Sequence, residues 1–109
     1  MTHQSNLPWA EQYRLAAKAW VELDKAATML EETKSAVLSQ KMAALGDIPV
    51  SHAERQVKAS PEWLDFIKSM VDARSQANLK KVQLEYLRMK FMEWNSENAT
   101  RRSEMRLTT

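Results

Sequence analysis

The sequence contains no cysteine, one glycine and three prolines in 109 residues. Without cysteine the chain cannot form a disulfide, a thiolate zinc site or an iron–sulfur cluster. Strand-rich folds need tight turns at regular spacing, and glycine and proline are too scarce here to form them, which argues against a sandwich, a barrel or a Rossmann-type sheet. No apolar run approaches the roughly 18 residues of a membrane span, so we expect no membrane association.

The abundant residues favour long amphipathic helices. Charged residues, among them many glutamates and lysines, make up 28% of the chain, and alanine, leucine, glutamine and seven methionines are prominent among the others. A chain of this length forms one domain or one half of an oligomer. The formal net charge of +2 is too small to indicate a general polyanion binder from the total. The N-terminus has neither a basic nor an apolar targeting region, and we expect a cytoplasmic protein.

Proline, serine and glycine mark the ends of two long helices. Pro8 suits a first helical turn, Gly46 suits a left-handed residue after a helix, and Ser60 before Pro61 repeats a start signal. Ser51 and Glu54 have capping-box spacing for one or two short turns within the connection. The sequence therefore predicts a flexible leader over 1–7, a single domain over 8–106 made of helix 8–45, connection 46–60 and helix 61–105, and a tail over 107–109.

The second helix has a coiled-coil heptad pattern. With Trp63 at an a position, apolar residues occupy most a and d positions as far as Trp94. The first helix has a matching seam that degrades after Leu30, and its apolar stripe drifts near the turn, as expected of a straight helix. The fold predicted is an all-α, long antiparallel helical hairpin that resembles a coiled coil and assembles into an oligomeric helical bundle.

Matching large side chains with small ones gives a register for this hairpin. In that register Leu87 lies opposite Trp20, and Trp94 lies opposite Tyr13. The same register predicts two ion pairs between the helices, Arg74 with Glu31 and Lys81 with Asp24.

Catalysis has few candidate residues. His3 lies in the leader and His52 in the connection, and neither has a neighbouring nucleophile or orienting partner in the sequence. Glu31 and Glu32 occupy successive helical positions that point about 100° apart, so they cannot share a proton or a metal. We expect no catalytic residue, no metal and no cofactor, and we predict that the protein is not an enzyme.

A basic stripe follows the e positions of the second helix. Between Arg74 and Lys90 there are five basic residues and one acidic residue, and aromatic residues lie within and just after this segment. Phe91 and Trp94 occupy seam positions, where burial is expected instead of base stacking. The residues predicted to bind nucleic acid are Arg88, Lys90, Arg101, Arg102 and Arg106, for phosphate contacts, and Tyr86, for stacking.

Apolar residues outside the hairpin seam indicate a second buried surface. The segment 79–94 is apolar on more than one face, and one partner helix cannot cover it. We predict a homo-oligomer, with a different protein as the alternative partner. The predicted oligomer contacts are Leu79, Val82, Met89 and Met92.

Three segments carry a resemblance to known proteins. They are KASPEW over 58–63, VDARSQAN over 71–78 and FMEWNSENATRRSEM over 91–105. Together they make residues 51–106 similar to small helical bacteriophage proteins of a recombination-associated group. In size and helical character that group is similar to the recombination mediators of T-even-type phages.

The resemblance implies a function without catalytic residues. It implies an oligomer that binds single-stranded DNA in the bacterial host cytoplasm. It also implies help in loading a recombinase or annealing protein, in contact with that recombinase or with single-strand binding protein. The alternative is a helical adaptor or inhibitor, such as a phage anti-defence factor, that binds a protein through its apolar face.

Overall fold

A computed structural model describes residues 8–108, which contain three α-helices. They are α1 (Trp9–Ala43), α2 (Val50–Lys58) and α3 (Pro61–Thr108). The chain divides into two compact units, each containing part of α1 and part of α3. Unit 1 comprises residues up to 21 and from 79 onwards, and unit 2 comprises residues 22–78. The predicted leader over 1–7 lies outside the described residues.

The prediction that Gly46 adopts a left-handed conformation after α1 is confirmed. Gly46 has a φ of +91°, which side chains with a Cβ rarely adopt. Its N–H donates to the Ala43 carbonyl at 3.2 Å, three residues back. The predicted helix end at Leu45 is two residues too late, because this tight turn replaces the last α-helical turn.

The connection contains a helix that begins differently from the prediction. The N-cap position of α2 is Pro49, and no side chain forms a capping hydrogen bond there. The capping box predicted for Ser51 and Glu54 is therefore wrong, since Ser51 already lies within the helix. Ala53 and Val57, one turn apart, are buried. Their burial in unit 2 fixes α2 by packing instead of by a cap.

The predicted start of α3 is confirmed in detail. The Trp63 N–H donates to Ser60 Oγ at 3.2 Å, and Ser60 Oγ donates to the Val57 carbonyl at 2.6 Å. The helix continues to Thr108, three residues beyond the predicted end, because nothing after residue 105 breaks a helix. The predicted tail is therefore helical over 107–108, and Thr109 lies outside the described residues.

The two long helices pack antiparallel through the predicted heptad seam. Every a and d position of α3 from Trp63 to Phe91 is buried or half-buried. Ala27 in α1 and Ala77 in α3 have no exposed surface, and small side chains of this kind allow close approach of helix axes. The predicted drift near the turn, over Leu38, Met42 and Leu45, is confirmed in part, since Leu38 and Met42 are partly covered whereas Leu45 is exposed. The antiparallel all-α hairpin is therefore confirmed.

The predicted register is wrong in part. In unit 2 Arg74 contacts Glu31 as predicted, but it also binds Asp24, which was assigned to Lys81. In unit 1 Lys81 lies over Trp20, where Leu87 was predicted. The helices are thus displaced by about one and a half turns from the prediction. Volume matching could not detect the shift, because small residues recur along both helices and fit several registers.

Candidate nucleic-acid interface

The positive charge of the chain is concentrated in unit 1. This unit has nine lysines and arginines against five acidic residues, whereas unit 2 has seven against nine. The formal charges are therefore +4 and −2, a contrast that the overall charge of +2 conceals. A polyanion is attracted to unit 1 and repelled by unit 2.

Arg74 of α3 forms ion pairs with two acidic residues of α1. Its Nη1 lies 2.6 Å from Asp24 Oδ1, and its Nη2 lies 2.7 Å from Glu31 Oε1. The hydrogen bonds from Arg74 hold the pKa of Glu31 below its usual value, and those contacts raise the pKa of Arg74. This first member of the basic stripe is therefore used within the hairpin.

The next two members of the stripe lie beside aromatic rings. Lys81 Nζ is 5.9 Å from the centroid of Trp20, a cation–π geometry. Arg88 and Tyr13 line the same open groove of about 230 Å³ as that pair, and Glu85 is the only carboxylate in the lining. Within residues 8–108 neither Lys81 nor Arg88 forms an ion pair.

A second groove lies along the C-terminal part of α3. It measures about 440 Å³, and its lining consists of Trp94, Asn95, Asn98, Arg101, Arg102 and Met105. The lining combines an aromatic ring, two amides and two guanidinium groups, with no carboxylate. Arg101 and Arg102, two of the predicted binding residues, thus line one groove together with Trp94, which was not predicted as a binding residue.

Trp94 is more exposed than the sequence predicted. It was predicted to lie buried opposite Tyr13, yet 47% of its surface is exposed. Ala10 already shares a small groove with Phe91, so among the described residues α1 offers nothing opposite Trp94. The ring stacks on Phe91 at a centroid distance of 6.2 Å.

These residues define a surface that we call the aromatic–cationic track: Trp20, Lys81, Tyr13, Arg88, Trp94, Arg101 and Arg102. Lys81, Arg88 and Arg102 share one heptad position, so they lie on one face of α3 at axial intervals of about 10.5 and 21 Å. Trp20 and Tyr13 were missed as binding residues because only the correct register brings α1 aromatics beside α3 cations.

Tyr86 and Lys90, two other predicted binding residues, lie away from the track. Each is two residues from Arg88, a separation that turns a helical side chain about 200°. Lys90 Nζ is 5.8 Å from the Tyr86 ring centroid and 3.6 Å from Glu93 Oε2. Arg106 is exposed near the end of α3 and does not line the C-terminal groove. The predicted set is therefore divided between different faces of α3.

The predicted oligomer residues are exposed, together with Tyr86. Each has more than half of its surface in contact with solvent. We call this set the apolar stripe: Leu79, Val82, Tyr86, Met89 and Met92. So large an apolar surface on a helix indicates an oligomer or a protein partner.

Other kinds of site receive no support from the described part of the chain. Residues 8–108 hold no group of three or more histidine, aspartate or glutamate side chains placed to bind a metal. His52 is exposed, and His3 lies outside the described residues. No described helix is long and apolar enough to cross a membrane. The absence of enzymatic activity stays a prediction.

Comparisons of this chain with protein families, with curated proteins and with solved structures gave no match. The function proposed below therefore rests on the chain's own residues and on the resemblance of residues 51–106 described above.

Proposed function

We propose that the protein is a non-catalytic, single-stranded DNA-binding protein that forms homo-oligomers and assists phage recombination. In this role it helps to load a recombinase or annealing protein in the cytoplasm of a bacterial host. The aromatic–cationic track carries the proposal. Lys81 lies over the Trp20 ring, and Arg88, Arg101 and Arg102 line grooves that contain aromatic rings. None of these four cations forms an ion pair within residues 8–108, whereas Arg74, at the heptad position of Lys81 and Arg88, is neutralised by Asp24 and Glu31.

The composition of the track favours a single strand over a duplex. Exposed rings can stack on bases only where the base faces are free, and a duplex encloses those faces. The guanidinium and ammonium groups bind phosphates without reading the sequence. Binding should therefore be strongly salt-dependent, with little preference for base sequence.

The structure refines which residues we assign to the DNA. Arg88, Arg101 and Arg102 keep their predicted phosphate contacts, and Lys81 joins them. Trp94 replaces Tyr86 as the principal stacking residue, with Tyr13 as a further exposed ring. Trp20 is half-buried, and Lys81 lies over its ring. Lys90 and Arg106 add to the positive field of unit 1 without belonging to the track.

A titration with a fluorescent oligothymidine tests this proposal. The triple variant Arg88→Gln, Arg101→Gln, Arg102→Gln should bind at least about tenfold more weakly near 50 mM salt, where phosphate contacts dominate. The logarithm of the association constant should fall with the logarithm of the salt concentration. The slope should be about −3 for the native protein, which has four track cations, and about −1 for the variant, which keeps one. Trp94→Leu should weaken binding about tenfold by removing a stacking surface.

The matched control removes the same charge from unit 2. Lys25, Lys34 and Lys68 are exposed and form no ion pair in the described part of the chain, and all three are changed to Gln. This variant should keep its affinity within about twofold, because its charges lie outside the track. Failure of the native protein to bind at low salt, or an equal loss in both variants, overturns the proposal.

The apolar stripe favours a second candidate, a helical adaptor or inhibitor that binds another protein, such as a phage anti-defence factor. In that case the protein alone is monomeric and indifferent to DNA, and one host protein binds through the stripe. Light scattering during size-exclusion chromatography, combined with the DNA titration, separates the two candidates.

A further inference from the structure

The apolar stripe has the spacing of a second coiled-coil seam. Leu79, Val82, Tyr86 and Met89 follow one another at intervals of three, four and three residues, as a and d residues do. They occupy the c and f positions of α3, roughly opposite the a and d seam that α1 covers. The stripe is therefore placed to receive one further helix.

The spacing of the first four stripe residues, three, four and three, is the same in both directions along the helix, while Met92 lies beside this seam. An antiparallel copy can therefore match it across a two-fold axis lying between Val82 and Tyr86. Leu79 then lies opposite Met89, and Val82 lies opposite Tyr86, so that the largest side chain meets the smallest. A parallel copy would instead place Tyr86 on Tyr86 and Val82 on Val82, which packs unevenly.

The residues beyond each end of the stripe also favour the antiparallel arrangement. The same face of α3 carries Asp72 and Ser75 before the stripe, and Glu93 and Ser96 after it. In the antiparallel register Asp72 lies opposite Ser96, and Glu93 lies opposite Ser75. Each carboxylate then faces a hydroxyl donor, whereas a parallel pair would place like charges together.

These observations identify the partner that the stripe fits. We infer that the apolar stripe binds the same stripe of a second copy, antiparallel, to form a two-fold homodimer of this protein. This inference rests on the homo-oligomer in the proposed function and is independent of DNA binding. Glu85, the carboxylate nearest the axis, lines the groove that holds Lys81 and Arg88 and so lies on the side of the track.

The exposed area of the stripe sets the expected affinity. Five side chains that are more than half exposed bury on the order of 500 Å² per copy, which is near the lower limit for a specific interface. We therefore expect a dissociation constant on the order of micromolar.

Light scattering across a concentration series, without DNA, tests the dimer. The double variant Val82→Gln, Met89→Gln should be monomeric where the native protein is dimeric, with a dissociation constant at least about tenfold higher. The matched control Val71→Gln, Met29→Gln changes the same residue types at exposed sites in unit 2 and should dimerise normally. All three proteins should give the same circular dichroism, because the altered side chains are exposed within one copy.

Disulfide trapping tests the orientation. The native chain has no cysteine, so each engineered thiol is the only one in its chain. When Leu79→Cys and Met89→Cys proteins of different tag length are mixed and oxidised, the mixed disulfide should predominate over both symmetric ones.

Three results would overturn the inference: a native protein that stays monomeric at about 1 mM, a stripe variant that still dimerises, or symmetric disulfides in excess. A native protein that binds DNA but stays monomeric rejects this interface alone. Loss of DNA binding with the dimer intact rejects the DNA-binding function alone.

Discussion

At the scale of single residues, the role of a basic side chain is decided by what the neighbouring helix places beside it. Arg74, Lys81 and Arg88 share one heptad position of α3. Arg74 meets two carboxylates and joins the helices of unit 2, while Lys81 meets an indole ring and keeps its charge unpaired. The sequence shows the repeat of three cations but does not show this difference between them.

The Arg74 contacts predict a pH-dependent contribution to stability. The pKa of Glu31 lies below its usual value of 4.5, because Arg74 donates hydrogen bonds to its ionised form. The stabilisation is therefore complete above pH 4.5 and is lost as the pH falls through the lower pKa of the folded state. Arg74→Met should lower Tm by a few degrees at pH 7 and by less near pH 3, as measured by thermal unfolding.

Arg14 provides the control for this experiment. It forms an ion pair of 2.6 Å with Glu11 three residues earlier in the same helix, and 61% of its side chain is exposed. Arg14→Met should change Tm less, because a local surface pair does not join two helices. An equal effect of both substitutions, or a pH-independent effect of Arg74→Met, would contradict the role assigned to Arg74.

At the scale of the elements, substitution of Ser60 and of Ser51, which both lie near helix starts, should affect stability differently. Ser60 caps α3 through the Trp63 N–H, whereas Ser51 caps nothing. Ser60→Ala should lower the free energy of unfolding by about 1 kcal/mol, and Ser51→Ala should leave it nearly unchanged. Urea unfolding measures this as a shift of the midpoint at constant slope. A loss at Ser51 as large as that at Ser60 would restore the predicted capping box.

The same elements show which features the sequence could predict. Gly46 and Ser60 mark helix ends correctly because their signals are local backbone preferences. The start of α2 was not predictable, since packing of Ala53 and Val57 decides it. The register and the exposure of Trp94 depend on where α1 meets α3, and a sequence rich in alanine permits several such alignments. Three of the four basic residues of the track were therefore among the predicted binding residues, whereas Lys81 and all three rings were not.

At the scale of the whole molecule, the charge and the exposed apolar surface combine in unit 1. The track and the apolar stripe lie on different faces of α3, so the proposed DNA site and the proposed dimer contact do not overlap. The two-fold axis that relates two antiparallel helices is normal to the plane containing them. Rotation about this axis leaves each side of that plane where it was, so both tracks of the proposed dimer face one direction. The proposed dimer thus places the two proposed DNA sites where one strand can reach both.

This arrangement predicts that dimerisation affects DNA binding only for long strands. One track spans about 31 Å from Lys81 to Arg102, which a strand of about ten nucleotides covers. The double variant Val82→Gln, Met89→Gln should therefore bind a strand of that length with the same affinity as the native protein. On a strand of about 40 nucleotides it should bind at least tenfold more weakly, because the second track no longer adds avidity. Fluorescence anisotropy with both lengths measures the ratio of affinities. An equal loss on both lengths would show that the stripe itself contacts DNA, and no loss on either would show that the tracks act separately.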